Sequence, residues 1–127
     1  EFGKIEEEAH SAGLPVIGWM YPRGKNIADD ASPEITAYAA RIGLEIGADI
    51  VKIKYCGSAE CFQKAVEAAG KTKVVLSGGT KVDEEKFLEV VKNTMISGAI
   101  GVAVGRNVWQ DKDPLKITEK IRNIVFF

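Results

Sequence analysis

The chain has 127 residues, 46% of them apolar and 28% charged, an ordinary globular composition with room for a sizeable core. Seventeen basic and 18 acidic residues leave a net charge of −1 with no basic tract, so the sequence points away from nucleic acid. No apolar run approaches the roughly 18 residues that cross a bilayer, and Glu1-Phe2-Gly3-Lys4 does not begin a signal peptide.

In chain order, Ile5–Gly13 reads as the last turns of a helix that enters a strand through Ala12-Gly13-Leu14-Pro15. The chain is therefore expected to start inside a repeat, with Glu6-Glu7-Glu8 as a solvated face and His10 exposed. The first apolar run, Pro15–Tyr21, predicts a strand. Ser32-Pro33-Glu34 then caps a helix through Ala39, Ala40 and Leu44 that stops at Gly47. The second run is Ile50–Tyr55. After it, Ser58 caps a helix through Phe62, Ala65 and Val66 that ends near Gly70. The third run, Lys73–Leu76, precedes a helix opened by Asp83-Glu84-Glu85. That helix turns Phe87, Val90, Val91 and Thr94 or Met95 inward and ends at Gly98. The fourth run, Ile100–Val104, is followed by Asp113-Pro114 and a helix bearing Ile117, Ile121 and Ile124. Four βα units of about 30 residues, each with a near-continuous apolar strand, predict a parallel sheet with helical crossovers.

Several polar residues stand where this pattern does not need them. Lys52 interrupts an apolar strand, where a charge costs several kcal/mol unless it is paired or neutralised. Strand alternation aims Lys52 and Lys54 to the same face, so parity alone does not choose between them. A buried amine beside other cations is pushed toward its neutral form, and only a neutral amine attacks a ketone carbonyl. Tyr21 ends the first strand, where a phenol can serve as general acid and base; Trp19 shares its parity, and Arg23 follows in the loop. Ser77-Gly78-Gly79 and Gly105-Arg106 end the third and fourth strands. Glycines there let backbone N–H groups approach an anion, and an arginine fork adds donors. One such turn is only a turn; two at consecutive strand ends, with an arginine, point to a phosphate site. Asn107-Val108-Trp109 is expected to form a short extra helix beside it. Asp49 falls in the turn before the second strand. Cys56 and Cys61 are too few for a disulfide framework and have no histidine nearby, which reads as free thiols in a reducing cytoplasm and no metal site.

Four segments are more specific together than alone: Gly18-Trp19-Met20-Tyr21-Pro22-Arg23-Gly24, Ala48-Asp49-Ile50-Val51-Lys52-Ile53-Lys54-Tyr55, Leu76-Ser77-Gly78-Gly79, and Gly101 through Gln110. In this order the chain resembles the second half of the archaeal-type class I fructose-1,6-bisphosphate aldolase family, from about Glu6 to Val125. At Ala48-Asp49-x-x-Lys52 that family also resembles deoxyribose-phosphate aldolase. The resemblance implies a single partial domain over residues 1–127, an α/β fold made of the (β/α)₄ half of a TIM (β/α)₈ barrel, with strands five to eight of the barrel. It selects Lys52 as the Schiff-base lysine and Tyr21 as the general acid and base. Trp19, Arg23, Lys54, Ser77, Gly78, Gly79, Gly105 and Arg106 then fall to substrate binding, with Lys54 placed to act on the charge of Lys52 or to contact phosphate. Neither a metal nor another cofactor is implied.

The implied activity is that of a cytoplasmic lyase of sugar metabolism, cleaving fructose 1,6-bisphosphate to dihydroxyacetone phosphate and glyceraldehyde 3-phosphate. Related members make a 2-amino-3,7-dideoxy-heptulosonate precursor of aromatic amino acids instead. A different class of reading is a non-catalytic phosphate-binding or assembly module, as a half-barrel or as an open flavodoxin-like sheet. The expected partners are a phosphorylated sugar and, for the two open sheet edges, another copy of the chain or the missing N-terminal half-barrel. The family's first four strands, with their acidic residue, have no counterpart here. Two smaller departures are Cys56, where relatives usually have threonine, and Thr80, where they usually have proline.

Overall fold

Ten elements follow one another in the computed structural model, which describes residues 1–127. They are α1 (Phe2–Ser11), β1 (Ile17–Trp19), α2 (Pro33–Glu45), β2 (Ile50–Lys54), α3 (Ala59–Ala68), β3 (Lys73–Ser77), α4 (Glu84–Ile96), β4 (Gly101–Ala103), α5 (Arg106–Trp109) and α6 (Pro114–Phe126). The expected helix starts are all present, each satisfying an otherwise orphaned N–H. Ser32 accepts from Ile35 N–H, Ser58 from Cys61, Asp83 from Lys86 and Asp113 from Lys116. The outer strands are shorter than their apolar runs. β1 and β4 are the sheet's edges, with a partner on one side only, and Pro15 and Pro22 lack the N–H that would extend β1. No helix is long and apolar enough to cross a membrane.

The sheet order is β1-β2-β3-β4, parallel throughout. No reversal of strand order occurs, so there is no switch point, and the open flavodoxin-like alternative is excluded. The pleat sorts the side chains. Val51, Ile53, Val74 and Leu76 are at most 2% exposed and share a core with Ala39, Ala40, Phe62 and Ala65 of α2 and α3. Gly43 allows that docking, because a Cβ there would stand 2.0 Å from Val51 Cγ1. A second cluster of Phe87, Val91, Ile117 and Ile121 joins α4 to α6. Lys52, Lys54 and Ser77 take the opposite parity, on a face that lines a cavity.

Two expectations from sequence change here. Cys56 and Cys61 are joined in a disulfide and are not free thiols. The left-handed Gly57 and the capped first turn of α3 bring Cys61 back toward Cys56, with Cα atoms 6.0 Å apart; the short spacing does not reveal this without the turn. His10 is exposed, as expected, but not free. Its Nδ1 lies 2.7 Å from Glu6 Oε1 and its Nε2 2.8 Å from Asp49 Oδ2, so Glu6 leaves the solvated face to join this bridge. Asp49 also accepts from the Val16 N–H at 2.8 Å, tying the entry of β1 to that of β2.

Two ionised carboxylates only accept, so both ring nitrogens of His10 must donate, which requires the imidazolium. The hydrogen bond to Asp49, helped by the charges of Asp49 and Glu6, raises the His10 pKa above 6.5. The Val16 N–H first, then the His10 hydrogen bond, hold Asp49 below 3.8. For the raised histidine, the stabilisation is complete below pH 6.5 and fades as pH rises through the folded value. For the depressed aspartate, it is present above pH 3.8 and is lost as pH falls through the folded value. No residue of α1 is fully buried, although Phe2 packs part-buried against the core, so this bridge adds to its attachment. The melting temperature of the native chain should exceed that of His10→Gln at about pH 6, and the gap should close by about pH 9. An equal gap at both pH values would show that charge is not what holds α1.

Candidate active site

Beyond the C-terminal ends of the strands lies an open cavity of about 730 Å³. Tyr21, Arg23, Lys52, Lys54, Ser77, Gly78, Gly79, Gly105 and Arg106 all line it. These residues come from all four βα units, which is what parallel strands accomplish when each delivers its last residues to one end. Trp19 is the exception among the candidates. It is 67% exposed on the outer strand and stands at the rim, not in the wall.

The register explains the central contacts. Trp19 pairs with Lys52 across β1 and β2, so their side chains emerge on the same face. Lys52 Nζ lies 3.9 Å from the centroid of the Trp19 ring, and that ring meets Tyr21 edge-on at 6.4 Å. Farther along, Lys54 pairs with Ser77, and Ser77 with Ala103. Tyr21 lies beyond the end of β1 and bonds Ser77 of β3, its hydroxyl 2.8 Å from Ser77 Oγ.

Lys54, also on the cavity wall, is held by a carboxylate. It forms an ion pair with Asp30, from the loop between β1 and α2. The Lys54 hydrogen bond is the main cause that holds the Asp30 carboxyl below its usual range, and the charge of Arg23 adds to it. Lys54 thus faces the cavity already neutralised by a neighbour, while Lys52 has no carboxylate partner and rests on an indole. Asp30 was not a candidate from sequence. It sits in a polar stretch just before a helix cap, and nothing in the local pattern says that it returns to β2, 24 residues on.

Asn107 is the second residue the sequence undersold. The short helix expected beside Arg106 is present as α5, but Asn107 within it is buried, at 4% exposure, and bonds the loop after β3. Its amide nitrogen donates to the carbonyls of Gly78 (2.9 Å) and Thr80 (3.1 Å), and its oxygen accepts from the Val82 N–H (2.9 Å). Gly78 itself admits no side chain, since a Cβ would meet Val104 Cγ1 at 2.7 Å. The loop after β3 therefore lies against Val104 and Asn107, which flank the second glycine turn.

The chemistry available is an unpaired amine, a phenol bonded to a serine hydroxyl, two arginines, and backbone turns able to approach an anion. Comparison with known proteins gives the family. The profile of the DeoC/LacD family of aldolases matches residues 1–111. The class 1 fructose-bisphosphate aldolase of Thermoproteus tenax is 47% identical over 127 residues, covering 99% of this chain and 48% of the relative. The 2-amino-3,7-dideoxy-D-threo-hept-6-ulosonate synthase 1 of Archaeoglobus fulgidus is 41% identical over 123 residues, covering 97% of this chain and 45% of the relative. Among solved structures, an archaeal fructose-1,6-bisphosphate aldolase with its catalytic lysine bound to the carbinolamine intermediate superimposes with a TM-score of 0.97 at 45% identity. That match covers 100% of this chain and 51% of the other. The chain spans about half the length of these relatives.

Proposed function

The chain belongs to the DeoC/LacD family of aldolases, and on that premise we propose that it is the imine-forming half of a fructose-1,6-bisphosphate aldolase, corresponding to strands five to eight of the barrel. The observation that supports this most is Lys52, an amine without a carboxylate partner in the same cavity as Tyr21 and both glycine turns.

In this reading Lys52 Nζ adds to the ketone carbon to give a carbinolamine. Loss of the hydroxyl as water leaves a protonated imine, which withdraws electrons from the neighbouring carbons. Tyr21, whose own proton leaves with that water, takes the proton from the C4 hydroxyl as the C3–C4 bond breaks, and glyceraldehyde 3-phosphate leaves. The electron pair of that bond remains in an enamine on Lys52. Protonation of the enamine carbon and hydrolysis of the imine release dihydroxyacetone phosphate and regenerate the amine. Ser77 holds the Tyr21 hydroxyl in place for the proton transfer. Gly78, Gly79, Gly105 and Arg106 receive one phosphate and Arg23 the other, while Trp19 closes the rim over Lys52. Lys54, bound to Asp30, fixes the loop that carries Arg23 toward the cavity. A phosphorylated sugar does not cross membranes unaided, so we place the reaction in the cytoplasm.

The edge strand β1 leaves Ile17 and Trp19 more than half exposed, and another four-stranded unit would cover them. In our reading that unit is the other half of the barrel or a second copy of this chain. The isolated chain should therefore turn over poorly. Supplying the segment of the Thermoproteus tenax aldolase that this chain does not match should restore cleavage of fructose 1,6-bisphosphate to the two triose phosphates. The synthase relative offers the alternative substrate, and its lower identity makes it the second choice. Turnover of the heptulosonate precursor alone would move the assignment to that branch. Restored association without either reaction would leave only a binding module.

A further inference from the structure

The loop from Gly78 to Val82 contains two of the backbone positions assigned to phosphate, yet no backbone hydrogen bond fixes it. Such a loop would ordinarily sample many conformations and present its N–H groups poorly. What holds its backbone is one side chain, Asn107. The amide has two N–H donors and a carbonyl oxygen, and all of that capacity is directed at this loop through Gly78, Thr80 and Val82. The orientation of the amide follows from its partners. Reversed, it would set its oxygen against two carbonyls and a donor against a donor. The other polar ties are at the exposed rim, where Lys81 Nζ reaches the Gln110 carbonyl and lies 4.0 Å from Asp111 Oδ2.

Asn107 is also covalently next to Arg106, two residues after Gly105. It therefore links the turn after β3 to the turn after β4. We infer that Asn107 is a positioning residue that makes the two turns a single phosphate site, by fixing the Gly78–Val82 backbone relative to Gly105 and Arg106. It touches no substrate and acts through the N–H groups it aligns. The inference rests on the proposed phosphate role of these turns. It goes beyond that role in placing the site's affinity on a buried residue that does not line the cavity.

The test uses inorganic phosphate and ¹⁵N-labelled chain, following the amide signals of Gly78, Gly79 and Gly105. Asn107→Asp keeps the acceptor for Val82 but turns an oxygen toward two carbonyls, and Asn107→Ser keeps the fold with one hydroxyl in place of the amide. Both should weaken phosphate binding about tenfold or more, the scale expected when buried partners are left unsatisfied. Borohydride capture of dihydroxyacetone, which has no phosphate, should stay within about twofold of the native chain, because Lys52 is held by another strand. Lys81→Ala, which removes only the rim contacts to Gln110 and Asp111, should bind phosphate as the native chain does. Unchanged phosphate affinity in both Asn107 variants, a parallel fall in phosphate binding and ketone capture, or no phosphate binding by the native chain would each overturn the inference. Phosphate binding that depends on Asn107 in a chain that never captures ketone would uphold it and reject the aldolase reading instead.

Discussion

Lys52→Met should lose turnover by at least about 10⁴-fold in the completed barrel, while the chain keeps its fold. Methionine nearly matches the length of the lysine stem, and its thioether can take the place of Nζ on the Trp19 ring. Lys52 makes no ion pair, so its removal strands no buried charge, and the melting temperature should change little. The proposed nucleophile, by contrast, has no substitute. Lys54 lies two residues on, on the same face, but its amine is engaged by Asp30. Steady-state cleavage and a thermal melt on the same preparation check both halves of this expectation. Retention of more than about 1% of native turnover would mean that another amine forms the imine, and Lys54 would be the first to suspect.

Tyr21→Phe should lower cleavage by about 10²- to 10⁴-fold, the usual contribution of a positioned general acid and base. Here the effect should divide by step. Formation of the imine at Lys52 should slow but persist, with water as the proton source, whereas breaking of the carbon–carbon bond should fail, since no group then removes the C4 hydroxyl proton. Covalent capture would thus remain while products disappear. The substitution also leaves Ser77 Oγ without its 2.8 Å partner, which should cost about 1 kcal/mol of stability at most, because Ser77 is only part-buried. Ser77→Ala is the useful comparison. It keeps the phenol but frees its orientation, and should reduce turnover much less than Tyr21→Phe. Equal losses in the two variants would assign the proton transfer to the pair and not to Tyr21 alone.

What could be read beforehand follows the range of the interactions involved. Helix starts are local, and Ser32, Ser58, Asp83 and Asp113 all cap as their neighbours in sequence suggest. The strand faces are local as well. Alternation alone separates Val51 and Ile53, which are fully buried, from Lys52 and Lys54. Asp30 with Lys54, Asn107 with Gly78 and Val82, and His10 with Asp49 were not readable, because each joins residues at least 24 positions apart. No periodicity encodes such pairs; they arise only when parallel crossovers return distant loops to the same end of the sheet. The Cys56–Cys61 bond failed for a subtler reason. It is close in sequence, but depends on a left-handed glycine and a helical turn acting together. The choice of Lys52 over Lys54 needed the family resemblance, and the structure adds a physical contrast between them in the carboxylate that only Lys54 has.

The most direct measurement is reduction with borohydride in the presence of fructose 1,6-bisphosphate, followed by peptide mass mapping. A single stable adduct on the peptide segment Ile50–Tyr55, located at Lys52, is the predicted result. An unmodified Lys52, or an adduct on Lys54 in its place, would contradict the account.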